Sequence, residues 1–406
     1  MTAPSTPRGI FTAGNLLAAF AVALPPLAVM VALGLAPLLA VVALTLLIVD
    51  GRRLGAGLRA LHPLPMLLGA LALWAAASSL WSILPGHSLF EGLRLLVISA
   101  EGLIVLAAAR ALTARERRDV GIGAAIGVAL AAALLLIEWS SGAALTRLIH
   151  PAGYGITFSR FDRGATTLVL LLGPALLGLR RVPLLGAALA LAVIVAIGLM
   201  SSFAAMVALG FGIVVFIVAR WLPRATAGAL AIGLIGVAAI MPIATPSYES
   251  TVSIQQRSPD IRISALHRLL IWRFAADKIG ERPLLGWGMD ASREIPGGHR
   301  DFATLPGIHM GPGHEALPLH PHNAVLQWEL ELGVPGTLLC LAIVCWGLWR
   351  IGFAAAMPPT ERGMALAYAG AALVIALVSY GIWQAWWLSC LWLTGALLAG
   401  SMPDEC

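Results

Sequence analysis

The residues best suited to chemistry concentrate in one stretch of the chain, HPHNAVLQWELELGVPG at residues 320–336. On a helix, Asn323, Gln327 and Glu331 fall at i, i+4 and i+8, so they form one polar stripe. His320 and His322 come directly before that helix, where unpaired backbone N–H groups favour an anion. The spacing therefore indicates a site for an anionic ligand, bordered by the stripe and the two histidines.

The same stretch also fits ordinary structural roles. Asn323 could cap the helix, Gln327 and Glu331 could pair with neighbouring helices, and the histidines could be interfacial side chains. Polar groups inside a membrane are costly unless they are paired or functional. Two histidines together with a three-step stripe favour the functional interpretation for the set as a whole.

A second pattern, IRISALHRLLIWRFAADKIGERPLLGWG at residues 261–288, predicts a helix that ends before Pro283. On its helical wheel Arg268 shares an arc with apolar residues, whereas Arg273 lies elsewhere. A lone guanidinium on an apolar face must find an anionic partner or reach water, and its planar donors can grip two phosphate oxygens. The pattern fits phosphate binding and a structural carboxylate pair equally well.

Two further arginines, Arg160 and Arg163, lie in FSRFDRGATTL, at the predicted outer start of the sixth membrane span. Asp162 could neutralise one of them, and arginine at a membrane boundary is often only an anchor. Ligand binding and anchoring are both open for this pair.

Three ionisable residues of the fourth predicted span, Glu91, Arg94 and Glu101, share one helix face. Pairing within the membrane is the first interpretation, and acceptor binding is the alternative.

The composition determines which kind of protein positions these residues. The 406 residues are 59% hydrophobic and only 11% charged, whereas a soluble domain carries about a quarter charged residues. This composition excludes a soluble enzyme and predicts an all-α polytopic membrane protein, a single transmembrane domain over residues 1–406. Twelve apolar stretches are candidate spans: about 10–24, 27–49, 63–82, 88–109, 119–138, 164–180, 183–200, 202–220, 226–245, 323–349, 362–379 and 382–400.

The arginines indicate how these helices are oriented. The outward turns near Pro25, Gly86, Ser201 and Gly381 contain neither Lys nor Arg, as expected on the translocated side. Both termini are then predicted to be cytoplasmic, with residues 246–322 as a periplasmic loop between spans nine and ten that carries much of the site. The inward connections hold fourteen arginines: Arg8, Arg52, Arg53, Arg59, Arg110, Arg115, Arg117, Arg118, Arg180, Arg181, Arg220, Arg224, Arg350 and Arg362.

The net charge of +6 therefore reflects membrane topology, and membrane lipids rather than nucleic acid are the expected surroundings. The four cysteines show no disulfide or metal-binding spacing, and the histidines lack a closed ligand set with Cys or carboxylate. We expect neither a metal ion nor another cofactor.

These motifs resemble the O-antigen ligase family, which also includes O-antigen polymerases. The family pattern is a His followed by Asn, Ser or Gln, then nine residues, then Gly-x-x-Gly. This sequence matches it with His322 and Asn323, followed after nine residues by Gly333 and Gly336. Upstream, Arg-x-x-x-Trp and Pro-Leu-x-Gly-Trp-Gly are similar to residues 268–272 and 283–288. Twelve spans with a large outer loop between spans nine and ten agree with the family too.

The resemblance implies a GT-C-like glycosyltransferase of the bacterial inner membrane that works without a metal. Its donor would be a glycan on undecaprenyl pyrophosphate, and its acceptor the lipid A-core at the periplasmic face. His322 would be the general base and Arg268 the pyrophosphate clamp. Arg160, Arg163, Arg273, His320, Asn323, Gln327 and Glu331 would bind substrate.

One departure from the family concerns a second arginine, which ligases usually carry in a Ser-Arg pair at the outer start of a span. The equivalent stretch here, LMSSFAAMVAL, has Ser202 followed by Phe203. Arg163 is the first choice for a residue that takes the role.

Two other functions are compatible with the sequence. A polysaccharide polymerase would use the same donor but elongate a lipid-linked glycan. A secondary transporter or lipid-glycan flippase would also have twelve spans, but it should concentrate ionisable residues near the membrane midplane.

Overall fold

The computed structural model describes residues 12–149, 158–258 and 260–402. Within these ranges the regular secondary structure is helical, and the one long loop, residues 282–323, contains two short 3-10 turns and an isolated bridge between Asp301 and Glu315. Twelve helices match the predicted spans: α1 (Ala13–Met30), α2 (Leu35–Ala60), α3 (Leu64–Ala77), α4 (Pro85–Arg110), α5 (Ala114–Ser140), α7 (Asp162–Gly178), α8 (Pro183–Leu199), α9 (Phe203–Ala219), α10 (Pro223–Ala244), α13 (Ala324–Gly352), α14 (Pro359–Val378) and α15 (Ala385–Ser401). Three more lie between spans: α6 (Ala144–Ile149), α11 (Tyr248–Arg257) and α12 (Ile263–Glu281).

This is an all-α polytopic membrane protein, as the composition predicts. Seven of the described helices are long and apolar enough to cross a membrane, or eight if the bent pair Leu54–Ala60 and Leu64–Leu80 forms one span. Helices α8, α9 and α15 are apolar but shorter. The count of twelve spans therefore stays a prediction.

The predicted turn near Pro25 is wrong. Pro25 and Pro26 lie inside α1, and the chain breaks later, at Val31 and a short 3-10 turn over Ala32–Gly34. Proline removes one backbone N–H donor, but membrane helices tolerate it where neighbouring groups satisfy the freed carbonyl.

Several of the predicted inward connections in the described part of the chain lie at one end of the helix bundle, and Arg8 falls outside the described residues. The guanidinium of Arg117, at the start of α5, donates to the carbonyls of Leu112, Ala399 and Met402. It thereby joins the α4–α5 connection to the end of α15. At the same end, Cζ of Arg224 lies 5.3 Å from the centroid of the Phe353 ring. This grouping agrees with the charge pattern, while the compartment stays a prediction.

The long loop at the opposite end is a folded cap. A cluster of buried side chains joins α12 and the loop after it to the first turns of α13; it includes Leu270, Ile271, Phe302, Leu326 and Leu330. The cap therefore rests on the helix start that carries His322 and Asn323.

The glycine spacing of residues 286 and 333 has a direct structural reason at a break in α13. Gly333 has φ +61°, and a Cβ there would lie 2.2 Å from the carbonyl oxygen of Leu284. Gly286, at φ +70°, would bring a Cβ within 2.5 Å of the Glu331 backbone. Between them, the N–H groups of Trp287 and Gly288 donate to the carbonyls of Leu330 and Glu331, both at 2.9 Å. Only glycine allows this close backbone contact without strain.

Candidate active site

His322 lies at the mouth of the bundle, immediately before α13. Its backbone is in the left-handed region, with φ +54°, and its ring is half-buried. Nδ1 lies 2.6 Å from the carbonyl oxygen of Ser379, at the end of α14. A carbonyl only accepts, so Nδ1 carries the proton and Nε2 keeps a free lone pair. This tautomer suits a base.

His320 packs against His322 with ring centroids 4.3 Å apart. The backbone N–H groups of His322 and Gly381 each approach one of its ring nitrogens at 3.2 Å. A neutral imidazole can accept only one of them. His320 is buried, so its first role in this geometry is to hold the α14–α15 turn against the His322 loop.

Both rings are neutral at physiological pH. Burial, aided by the charge of Arg268, lowers the pKa of His322 from 6.5 to about 4. Burial also lowers the pKa of His320 to about 3, and the charges of His322, Arg293 and Arg268 act in the same direction. A general base works best when its pKa is near the operating pH, and the pKa of His322 lies below that range. At neutral pH the His322 ring is unprotonated and can accept a proton, but it is a weaker base than an ordinary histidine.

Arg268 lies on α12 within electrostatic range of both histidines. Burial lowers its pKa, and the nearby carboxylate of Asp162 opposes that shift. One terminal nitrogen donates to the Ser264 carbonyl at 3.3 Å, whereas the buried Nε has no hydrogen-bond partner among the described residues. Asp162 is thus a carboxylate near Arg268, as the structural interpretation of this arginine required. The Nε donor of Arg268 remains available for a ligand.

The other arginines singled out in the sequence occupy different surroundings. Arg163 lies at the start of α7, with Cζ 5.2 Å from the centroid of the Trp386 ring. Arg160 lies just before it, in a 3-10 turn. Arg273 is ion-paired with Asp277 on its own helix.

The polar stripe exists, and each of its members is engaged within the protein. Asn323 caps α13 by accepting from the N–H groups of Val325 and Leu326, at 3.0 and 3.1 Å. Gln327 accepts from the N–H of Ile382 at 2.9 Å and donates to Glu331 at 3.1 Å.

Glu331 is fully buried and joins three segments. Its carboxylate accepts from the Trp383 indole at 2.7 Å, from the backbone N–H of Asp290 at 2.8 Å and from the Ser292 hydroxyl. The stripe therefore ties α13 to the cap and to the start of α15.

This network positions an arginine that the sequence patterns did not single out. Arg293 donates to Asp290 at 2.7 Å, and its buried Nε has no hydrogen-bond partner among the described residues. Its charge acts on His320. The only signal for it in the sequence is its position shortly after the Pro-Leu-x-Gly-Trp-Gly segment, because it lies in no periodic element.

A second ionic group borders Arg293. His87 contacts Asp290 at 2.9 Å, and Glu91 is ion-paired with Arg94, which confirms pairing for two of the three residues noted in this span. His87, Glu91 and Asp290 offer ligand atoms within 4.8 Å of one another. Both carboxylates are already paired with arginine, so a cation would have to displace these arginines.

The sequence model of the O-antigen ligase family matches residues 185–341. Similar proteins, each named "Putative polysaccharide ligase", occur in Rickettsia conorii, Rickettsia felis and Rickettsia prowazekii, with identities of 32%, 30% and 29%. The chain belongs to the O-antigen ligase family. The aligned parts cover 54%, 67% and 67% of this chain, and 52%, 64% and 64% of the three relatives. The chain thus spans between about half and two thirds of the length of these relatives.

The match to the O-antigen ligase family includes Arg268, His322 and the glycines of the α13 break, whereas Arg160 and Arg163 precede it. Phe203 stands where the resemblance leads one to expect arginine. Cζ of Arg262 lies 5.7 Å from the centroid of the Phe203 ring. A guanidinium therefore lies beside this position, although it comes from the start of α12.

Proposed function

We propose that this O-antigen ligase family member transfers a glycan from undecaprenyl pyrophosphate to a sugar hydroxyl of the lipid A-core. The reaction takes place at the periplasmic face of the inner membrane and needs no metal ion. One observation supports this most: His322 has a proton-accepting Nε2 within range of Arg268, which has an unused buried donor.

In the proposed step, the acceptor hydroxyl gives its proton to Nε2 of His322 while its oxygen attacks the anomeric carbon of the donor glycan. The bond from that carbon to the diphosphate oxygen breaks, and undecaprenyl pyrophosphate leaves with the electron pair. Fixed guanidinium groups can stabilise the growing negative charge in place of a metal. Protonated His322 then returns the proton to solvent.

Arg268 is the principal clamp in this proposal because its Nε is buried and unpartnered among the described residues. Arg293 is a second ligand for the same reason. Arg163 takes the role of the arginine missing beside Ser202, and Arg160 and Arg273 are outer contacts for the substrates.

The remaining residues are assigned to support. His320, Asn323, Gln327 and Glu331 border the substrates and, through the hydrogen bonds already described, hold the loops of His322 and Arg293 in place. A site whose supporting groups are fixed loses less energy to reorganisation during reaction.

Reconstitution in proteoliposomes tests the reaction. The purified protein receives a lipid-linked oligosaccharide together with lipid A-core or with a second lipid-linked chain, and mass spectrometry follows both acceptors. We expect lipid A-core to gain the mass of the glycan, with the same yield under EDTA.

Three results would contradict the proposal in different ways. Growth of the lipid-linked chain alone would make the protein a polymerase. Movement of the donor across the membrane without a new glycosidic bond would make it a flippase. Loss of transfer under EDTA, restored by one divalent ion, would overturn metal independence.

A further inference from the structure

An apolar cavity of about 140 Å³ lies between α7, α9 and α14. Its walls include Gly173 on α7, Leu209, Gly212 and Phe216 on α9, and Ala371 on α14. The two glycines contribute no side chain, which leaves room between helices that otherwise pack closely. Ile213, also in the wall, is 46% exposed, so the cavity borders the lipid-facing surface.

Each of the three helices that line the cavity has one terminus at the candidate active site. Helix α7 begins with Asp162, whose carboxylate acts on Arg268. Helix α9 begins after Ser202, whose side chain lies beside Asp162. Helix α14 is followed by Ser379, whose carbonyl oxygen accepts the hydrogen bond from Nδ1 of His322.

The depth of the cavity follows from these three ends. The wall residues lie 7 to 14 residues after Asp162 on α7 and after Ser202 on α9, and 8 to 15 residues before Ser379 on α14. At the helical rise of about 1.5 Å per residue, each helix places the cavity roughly 10–20 Å below the site. Three independent helices thus put one apolar space directly beneath the His322–Arg268 site.

A second, larger cavity of about 470 Å³ continues in the same direction. Tyr368 lines both spaces. Its hydroxyl donates to the Leu391 carbonyl at 2.9 Å, which fixes the ring between α14 and α15.

We infer that the first cavity binds the prenyl chain of the donor lipid, close to its diphosphate. This inference rests on the proposed function, because it takes the head group to be held by Arg268 and its neighbours. A donor with an anionic head group and a linear apolar tail needs cationic groups at the membrane surface and an apolar path below them. The chain has both, on the same helices.

Side chains that fill the cavity test the inference. In Gly212→Leu the new Cβ lies 3.4 Å from the Ala367 carbonyl oxygen and 3.6 Å from the Ala371 Cβ, which are ordinary contacts. Leu209→Trp fills the same space without altering a glycine. Gly210→Leu is the matched control, because a Cβ there meets nothing within 4 Å on the same helix.

Each variant is assayed with two donors that carry the same glycan diphosphate, one on undecaprenol and one on a single five-carbon prenyl unit, which is too short to reach the cavity. For the long donor, Gly212→Leu and Leu209→Trp should raise KM about tenfold, because a few buried methylene groups lose their site. The KM of the short donor and kcat for both donors should stay within about twofold of the Gly210→Leu values. Equal KM changes for both donors, or none, would overturn the inference.

Native mass spectrometry separates this inference from the proposed function. Undecaprenyl pyrophosphate should bind to the wild type and to Gly210→Leu, and less to the two filled variants, whether or not transfer occurs. If phosphatidylglycerol shows the same loss, the cavity holds an ordinary membrane lipid and the inference is wrong. Binding that follows the expected pattern without transfer would contradict the proposed function alone.

Discussion

At the scale of single residues, the proposed chemistry depends on how His322 is held. The Ser379 carbonyl fixes the tautomer, and burial keeps the ring neutral. A base of this kind is weaker than an ordinary histidine, but almost all of it is unprotonated and able to accept a proton at neutral pH. In the proposed mechanism, the fixed arginines must then supply much of the stabilisation of the transition state.

This environment predicts an unusual pH dependence. Because the pKa of His322 is lowered to about 4, the base stays active as pH falls from 7 to 5. The value of kcat/KM for transfer should therefore decline only as pH approaches about 4, whereas an ordinary histidine would lose activity below 6.5. The measurement is kcat/KM in proteoliposomes at each pH; an inflection between pH 6 and 7 would contradict this pKa.

Recovery of activity after return to pH 7 is the control for that profile. In the unfolded chain the histidine pKa is near 6.5, so between pH 6.5 and 4 the unfolded state binds more protons than the folded state. Stability from His322 is complete above pH 6.5 and falls as the pH is lowered through this window. Activity that returns at pH 7 was lost through protonation of His322, whereas activity that does not return was lost through unfolding.

The stripe Asn323, Gln327 and Glu331 could be predicted from its spacing alone, and the structure has it on one helix. Its partners could not, since Asp290, Ser292, Ile382 and Trp383 come from segments 39 to 55 positions away in the chain. Arg293 was missed for the same reason. It depends on a loop whose course is set by contacts with Glu331.

At the scale of elements, the break in α13 explains why two glycine motifs occur together. The segment over residues 283–288 lies against the break, and its backbone supplies donors to carbonyls that the helix leaves unpaired. Sequence periodicity predicted the helix but not the break, because a single left-handed residue leaves the hydrophobic pattern nearly unchanged.

Substitution of Gly333 tests this packing. Gly333→Ala puts a methyl group 2.2 Å from the Leu284 oxygen at a φ of +61°, so we expect a loss of about 2–5 kcal/mol. Gly347→Ala in the same helix meets nothing within 4 Å and should be neutral or slightly stabilising, by up to about 1 kcal/mol. Thermal unfolding in detergent compares the two variants; equal midpoints would contradict the role assigned to the break.

At the scale of the whole molecule, composition and charge pattern were sufficient to predict an all-helical membrane protein. Each of the twelve apolar stretches has a helix in the described part of the chain. The prediction of a turn at Pro25 was wrong because proline is a weaker helix breaker in a membrane bundle than in water. The folded cap could not be predicted, since its core joins residues distant in sequence.

Compartment reporters test the orientation of the bundle. The grouping of Arg117 with the ends of α4 and α15, away from His322, predicts that fusions at Arg115 and Gly298 lie in opposite compartments. We expect Arg115 to be cytoplasmic and Gly298 periplasmic. Signals from the same compartment for both would contradict the topology.

The most direct test of the central claim is the turnover of His322→Ala at saturating donor. A general base contributes about 10²- to 10⁴-fold, so kcat should fall by that factor while the KM for donor changes little. His299→Ala is the control, because that side chain is 62% exposed, whereas His320 also supports the turn at Gly381. Normal turnover at saturation combined with weak donor binding would contradict the claim and make His322 a phosphate ligand beside Arg268.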